Sequence, residues 1–410
     1  MAPHQPACRS YRPVSLAEAL STVEKTATAN VIPKGFDSPG TVDYANGTGT
    51  ITSHAPLHSE NYRKEFEEAT RMPVPEGQDV VLERATLQKS ASTGFERWWY
   101  KFKFVPKPLS EETLERPSLV EMAQWAKAQK PRKIKTAAGA FAIITVADLQ
   151  IGKTDRHGGT PETVAGFMRG IELAKAYIKR HKIRRVCLYE AGDGIENFQN
   201  TPKQAQTNDR QLVEQLDIHT TLILHAVTEL AKICDELIVV GVPSNHMEVR
   251  EDGKAVGGVH NDYGLLSLAN VKRAVSLNPK AYGHVKFAWP DDHEVSLTID
   301  LAGVPVGFAH GHYSRGAGAA DGVPKWLTGQ FAGNHPLQPA RVIITGHFHH
   351  LRYQNIIGGR WWFQGPTLDR GSAWLEHGSG EGSSENGILA MLVGGEYGLW
   401  DHAQLLRTEI

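Results

Sequence analysis

The sequence predicts an α/β fold preceded by a smaller α+β region. Two observations carry that prediction. From Phe141 onward, short apolar runs end in small or acidic residues and alternate with helix-length amphipathic segments. Before that point the texture is mixed, with clear β patterning only at residues 80–82 and 98–104.

The C-terminal runs are taken in order. Residues 141–147 lead to Asp148, and residues 185–189 lead to Gly192 and Asp193. Residues 237–242 lead to Asn245, residues 304–309 to His310, and residues 342–345 to Gly346 and His347. Helices are expected at 161–181 and 211–234, between the first strands. Continuous apolar runs of this length suit strands buried on both faces, and ligands of such sheets sit at the strands' C-terminal ends. After the last run, residues 361–363 (Trp-Trp-Phe) read as a strand packed on the sheet, with stacking by one tryptophan as the alternative. A flexible loop is expected at 378–387 and a closing strand at 388–393.

Ahead of Phe141, weak helical signals lie at 15–29 and 58–70. In the strand 98–104, Trp98, Tyr100, Phe102 and Phe104 share one face, and Lys101 and Lys103 share the other with Trp99. A core face is the preferred reading, because aromatics gathered on one face usually mean burial. A nucleic-acid platform, with bases stacked and phosphates held, is the alternative. A helix is expected at 118–130, beside the most basic stretch of the chain: Lys127, Lys130, Arg132, Lys133 and Lys135. That stretch reads either as a solvated linker or as a phosphate-backbone contact. The chain is thus divided into an accessory domain at 1–106, possibly binding nucleic acid or a partner, a basic helical linker at 107–140 and a catalytic domain at 141–410.

Bulk properties bound the function. The 410 residues suffice for two domains, and 40% apolar with 22% charged residues is a globular composition. A net charge of −1 provides no global field for nucleic acid, so a nuclease would rely on local basic groups or metal ions. Three scattered cysteines, Cys8, Cys187 and Cys234, argue against a disulfide framework. With no signal-peptide pattern and no apolar run long enough for a membrane span, a soluble cytoplasmic protein is expected.

Five polar clusters fall at the expected strand ends: Asp148-Leu149-Gln150, Gly192-Asp193, Ser244-Asn245-His246, His310-Gly311-His312 and Gly346-His347-Phe348-His349. Each alone is weak. Together they offer carboxylate, amide and imidazole groups, a donor mixture that suits manganese, iron or zinc. In order and type they resemble the calcineurin-like metallophosphoesterase superfamily, over about 141–369. Within it they are most similar to SbcD-type DNA exonucleases, particularly those encoded by bacteriophages.

The resemblance implies a metallophosphoesterase-type β-sandwich flanked by helices, and a two-metal phosphodiester hydrolase with a metal-bridging hydroxide as nucleophile. It implies that Asp148, Asp193 and His349 bind the first ion, with Asp193 bridging to a second held by Asn245, His310 and His347. His246 becomes the candidate general acid, and packing near the site is its alternative. His312 is a candidate substrate contact. Two departures matter. Gln150 stands where the family has histidine, and it can reach a metal only through its amide oxygen, which predicts a looser first site favouring manganese or a water held by Gln150, with a single-metal or lapsed enzyme as the alternative. Ser244 stands where the family has glycine, and the acid arrives late, at Glu248, from which it would orient His246.

Lys153, Arg156, Arg250 and Arg315 are candidate phosphate-binding groups, with a plain surface residue as the preferred reading of each, on glycine-rich segments at 153–161, 248–262 and 315–322 expected to frame a groove. A DNA nuclease, exonuclease or structure-selective endonuclease, is the first expectation. A phosphomonoesterase or phosphodiesterase for small nucleotides or phosphoprotein is the second. The third is an N-terminal DNA- or partner-binding module on a weak phosphoesterase scaffold. DNA is the expected partner. The resemblance also makes a homodimer and an ATPase partner plausible, in the host cell if the chain is phage-encoded.

Overall fold

The computed structural model describes residues 40–44, 46–53, 56–57, 61–74, 78–90, 96–106, 119–135, 138–198, 207–314, 322–369 and 385–408. The helix expected at 15–29, Cys8, Arg315 and most of the loop expected at 378–387 lie outside them. The chain divides into two compact units, Met1–Pro108 and Leu109–Ile410.

The first unit holds an antiparallel sheet of β1 (Gly40–Asp43), β2 (Thr48–Ser53), β3 (Gln78–Lys89) and β4 (Glu96–Pro106), in the order β1-β2-β4-β3. Helix α1 (Tyr62–Thr70) starts at Asn61, whose side chain accepts from the Lys64 N–H. It lays Phe66 edge-on against Phe102 and Phe104, with ring centroids 5.7 and 5.5 Å apart. Gly49 is required beneath it, since a Cβ there would sit 2.4 Å from the Phe66 ring. Tyr100, Phe102 and Phe104 are buried, and Trp98 packs against them. On the other face, Lys101 pairs with Glu83 at 2.8 Å. The aromatic row of β4 is therefore a core face, not a stacking platform.

In the second unit, α2 (Leu119–Ala128) comes first. It is no free linker: Met122 and Trp125 enter the main core, and Arg132 donates to the Ala231 carbonyl and to Asp235. Lys127, Lys133 and Lys135 remain exposed. The strands β5 (Phe141–Val146), β6 (Arg185–Glu190) and β7 (Glu236–Gly241) run parallel, and β10 (Val285–Ala288) joins β7. The last strands, β16 (Gly387–Val393) and β17 (Asp401–Arg407), add antiparallel beside β5, giving the order β10-β7-β6-β5-β16-β17. Between β7 and β10 lie a short ribbon, β8 (Arg250–Glu251) with β9 (Lys254–Ala255), and two helices, α5 and α6. A second sheet has the order β11-β12-β13-β15-β14, from β11 (Ser296–Leu301), β12 (Val304–Ala309), β13 (Val342–Thr345), β14 (Arg352–Ile356) and β15 (Arg360–Gln364).

Alternation along the strands sorts the apolar residues into layers. Phe141, Ile143, Cys187, Tyr189 and Val240 of the first sheet meet Val306, Phe308, Val342, Ile344 and Phe363 of the second. Ala142, Ile144, Val186, Leu188 and Val239 point the other way, to α3 (Thr160–Arg180), α4 (Leu212–Ala231) and α5 (Tyr263–Ser276). The short α6 (Pro279–Tyr282) follows α5, and Ala281 and Tyr282 join the same layer. Behind the second sheet, α7 (Gly322–Ala332) brings Val323 and Leu327 to Ile343 and Trp362. Trp362 is fully buried and its indole N–H donates to Thr345 Oγ1, so it stacks on no ligand. The result is a two-sheet sandwich with helices on both sides, a mixed α/β architecture. No helix among the described residues is long and apolar enough to cross a membrane.

Phe308 sits between the sheets with its ring 4.7 Å from that of Tyr189. Phe308→Ala should cost about 3–5 kcal/mol through the cavity it leaves. Denaturant unfolding would measure this, and a change below about 1 kcal/mol would mean that the sheets close over the gap.

Candidate metal centre

The polar clusters emerge from the C-terminal ends of β5, β6, β7, β12 and β13. After β5, β6 and β13 the chain turns in left-handed backbone: φ is 52° at Asp148, 44° at Gln150, 52° at Asp193, 76° at His347 and 62° at His349. For residues with a Cβ this costs on the order of 1–3 kcal/mol each, so the surroundings must hold it in place. They do so by bonding the loops to one another. Asp148 N–H donates to the Gly192 carbonyl (3.1 Å), Gln150 N–H to Asp193 (2.9 Å), and Gly346 N–H to His310 (2.9 Å). The Asp148 carboxylate accepts the His347 N–H at 3.0 Å, while its carbonyl accepts from Thr367 Oγ1 at 2.7 Å.

Asp193 is the centre of this arrangement and is almost fully buried. Its Oδ2 lies 3.0 Å from His310 Nε2, and its Oδ1 accepts the His246 N–H at 2.9 Å. Its own N–H donates to Ser244 Oγ at 2.8 Å. Ser244 is therefore a working replacement for glycine: the hydroxyl fixes the Asp193 backbone from the neighbouring loop. His310 Nδ1 meets the Ala191 carbonyl at 2.7 Å, which assigns the Nδ1 proton and turns Nε2 toward Asp193 and the Asn245 Oδ1, 3.0 Å away. Asp193, His310 and His347 bring ligand atoms within 4.8 Å of one another.

Charge divides the imidazoles. Burial alone would push His310 and His246 down, but the Asp193 carboxylate holds both up, at about 9. Burial raises Asp193 in turn, and His310 and His246 override it, leaving this carboxyl well below the usual range. Burial and the adjacent His310 push His347 down to about 4 and His312 to about 3. These two are neutral lone-pair donors at ordinary pH. The Nδ1 atoms of both are buried with no hydrogen-bond partner among the described residues.

Several expected roles fall differently. His246 Nδ1 faces Glu196, at 3.0 Å from its carbonyl and 3.4 Å from Oε2, whereas Glu248 pairs with Arg250 at 2.7 Å. The residue that orients His246 is thus Glu196, and the spacing Gly-Asp-x-x-Glu from Gly192 was its available signal. Arg250 is further tied to the Asn245 and Gly253 carbonyls, and Arg156 contacts His157. Lys153 is bonded to Asp369 and to Gln150 Oε1. None of these three stands as an unengaged phosphate clamp. The segments at 153–161 and 248–262 are likewise tied down, by Asp155–Gly158 pairing and by the β8–β9 ribbon. His349 Nε2 lies 3.5 Å from Asp148 Oδ1. The sequence reading also missed Asp369, which lies on the loop after β15 and whose N–H donates to the Asp148 carbonyl at 3.3 Å.

No family model matches the sequence, and no curated protein matches it. Among solved structures, the chain is similar to vacuolar protein sorting 29 of Cryptosporidium parvum, at 12% identity over 63% of this chain and 88% of that one, with a TM-score of 0.29. It is similar to zinc-complexed Vps29 of Entamoeba histolytica, at 10% identity over 65% and 99%, with a TM-score of 0.28. It is also similar to a dimetal phosphatase from Danio rerio, at 11% identity over 63% and 94%, with a TM-score of 0.30. Overlaps this remote assign no function by themselves.

Behind the site, Asp262 is buried at the start of α5 and accepts the Leu265 and Ser244 N–H groups at 2.9 and 3.0 Å. Burial raises its carboxyl to about 7. An unfolded aspartate titrates near about 3.9, so the folded chain keeps this proton over that interval. The stability this lends is full below about pH 4 and is lost as pH rises through about 7. Asp262→Asn removes the loss, so its Tm relative to wild type should rise between about pH 5 and about pH 8. A pH-independent difference in thermal melts would show that burial does not hold the proton.

Proposed function

We propose that this chain is a metal-dependent phosphodiester hydrolase whose substrate is DNA, cut as an exonuclease or a structure-selective endonuclease. The observation that carries the hydrolase reading is the gathering of Asp193, His310 and His347 within 4.8 Å, at the ends of strands from two sheets. These residues fit a divalent cation. His310 has its tautomer fixed by Ala191, His347 offers a buried Nδ1 with no hydrogen-bond partner among the described residues, and Asn245 adds an amide oxygen. With no thiolate in the set, manganese is the proposed ion, and iron or zinc fits the same donors. Such an ion supplies Lewis acidity toward a phosphoryl oxygen and lowers the pKa of water.

The remaining chemistry belongs to the chain. His246 is held between Asp193 and Glu196 on the protonated side of neutrality, as suits a donor to the leaving oxygen. Asp148 aims His347 through the backbone N–H that it accepts. DNA as substrate is supported by the motif resemblance to SbcD-type exonucleases, with which a homodimer and an ATPase partner would also agree. A second reading, a phosphodiesterase or phosphomonoesterase for small nucleotides or phosphoprotein, is favoured by the closed aromatic core of the N-terminal sheet and the net charge of −1.

The expected activity is manganese-dependent cleavage of end-labelled single- or double-stranded DNA. Asp193→Ala should abolish it, and His246→Ala should lower it by about 10²–10⁴-fold. Hydrolysis of bis-p-nitrophenyl phosphate without DNA cleavage, and with the same mutant sensitivity, would establish the small-substrate reading. Inactivity on both would sink the hydrolase.

A further inference from the structure

Of the two ion positions that the motif pattern implies, one is built as a ligand set and the other is not. The donors of Asp193, His310 and His347 converge within 4.8 Å, and among the described residues no other trio of histidine, cysteine or acid side chains does so. Around Asp148, Gln150 and His349 the arrangement differs. Gln150 can offer a metal only its amide oxygen, and that atom accepts from Lys153 Nζ at 3.1 Å. The same ammonium is ion-paired with Asp369. His349 lies between two carboxylates, with Nε2 3.5 Å from Asp148 Oδ1 and Nδ1 3.9 Å from Asp369 Oδ2.

The lysine is not a surface group that swings aside. Its side chain is 12% exposed and that of Asp369 is 7% exposed. Withdrawing the ammonium would leave the buried Asp369 carboxylate without its lysine, facing only His349 Nδ1 at 3.9 Å, which is unfavourable. The Lys153 backbone is fixed as well, with its N–H donating to the Gln150 carbonyl at 3.0 Å and its strand-like pairing to Asn208. A divalent ion bound through Gln150 would face this positive charge at close range, in surroundings that screen it poorly.

We propose that Lys153 fills the first cation position with its own ammonium, so that the chain takes one divalent ion, at Asp193, Asn245, His310 and His347. This rests on the metal-dependent reading above and concerns how many ions the centre holds. It accounts for Gln150 and Lys153 together: an amide oxygen is a poor exchange for imidazole toward a transition metal but a good acceptor for an ammonium.

The test is metal stoichiometry on the full chain, with Mn²⁺ itself as probe, by equilibrium dialysis with elemental analysis and by electron paramagnetic resonance. Wild type should bind one ion per chain, with the signal of an isolated Mn²⁺, and His310→Ala should remove it. Gln150→His combined with Lys153→Met should raise the count from one to two, with a spin-coupled signal. Gln150→His alone, with Lys153 still present, should stay at one. Two ions in wild type, or a double variant still at one, would overturn the assignment of Lys153 and leave the hydrolase standing. No bound ion in wild type would overturn both. The wild-type measurement decides the matter even if the double variant does not fold.

Discussion

A carboxylate buried at the convergence of two sheets sets the terms for everything around it. Asp193 has almost no contact with solvent, so its charge must be met inside the protein or the fold loses several kcal/mol. The chain meets it with His310 from one strand end, and with both the imidazole and the backbone N–H of His246 from another. Proton and divalent cation compete for the same place on His310 Nε2. The protein folds around a positive charge in either case.

The strained turns follow from that demand. Strand ends that ran on in extended conformation would carry their side chains past the centre. Left-handed residues after β5, β6 and β13 turn the chain back there and present the side chains inward. Aspartate and histidine tolerate this region better than most residues, which makes them economical choices at these positions. The strain is distributed across loops that hydrogen-bond to one another, so no single loop can relax without breaking its neighbours' bonds. Gly192 shows how little room is left, since a Cβ there would come within 2.5 Å of Ser244 and 2.8 Å of His310.

Much of this was legible in the sequence because buried parallel strands advertise themselves. Continuous apolar runs located β5, β6, β7, β12 and β13 to within a residue or so, and the polar residues after each run were the ones that gather. What sequence could not reveal is pairing among polar groups. Glu248 follows His246 closely and looked like its partner, but Arg250 captures it and Glu196 arrives from another loop. Asp369 lies 216 residues from Lys153, so no local pattern links them. Lys153 could be read only as a surface residue or a phosphate contact, because a neutralising carboxylate so distant leaves no trace nearby. The aromatic strand of the N-terminal unit was correctly weighted toward burial, because alternation places Tyr100, Phe102 and Phe104 on one face and only a core satisfies such a row.

The strand order of the larger sheet has a bearing on how the molecule comes into being. Strand β5, which launches Asp148, is flanked on one side by β6 and on the other by β16, whose residues 387–393 come from far along the sequence. Asp148 likewise finds its bond to Thr367 only across 219 residues. Contacts of such long sequence separation are the slow ones in folding. The surroundings of Asp148 are therefore completed only when a segment 219 residues further along the chain joins them. A chain in which β16 and the Thr367 loop have not yet docked therefore presents Asp148 without the strand beside β5 and the hydroxyl that hold it in place.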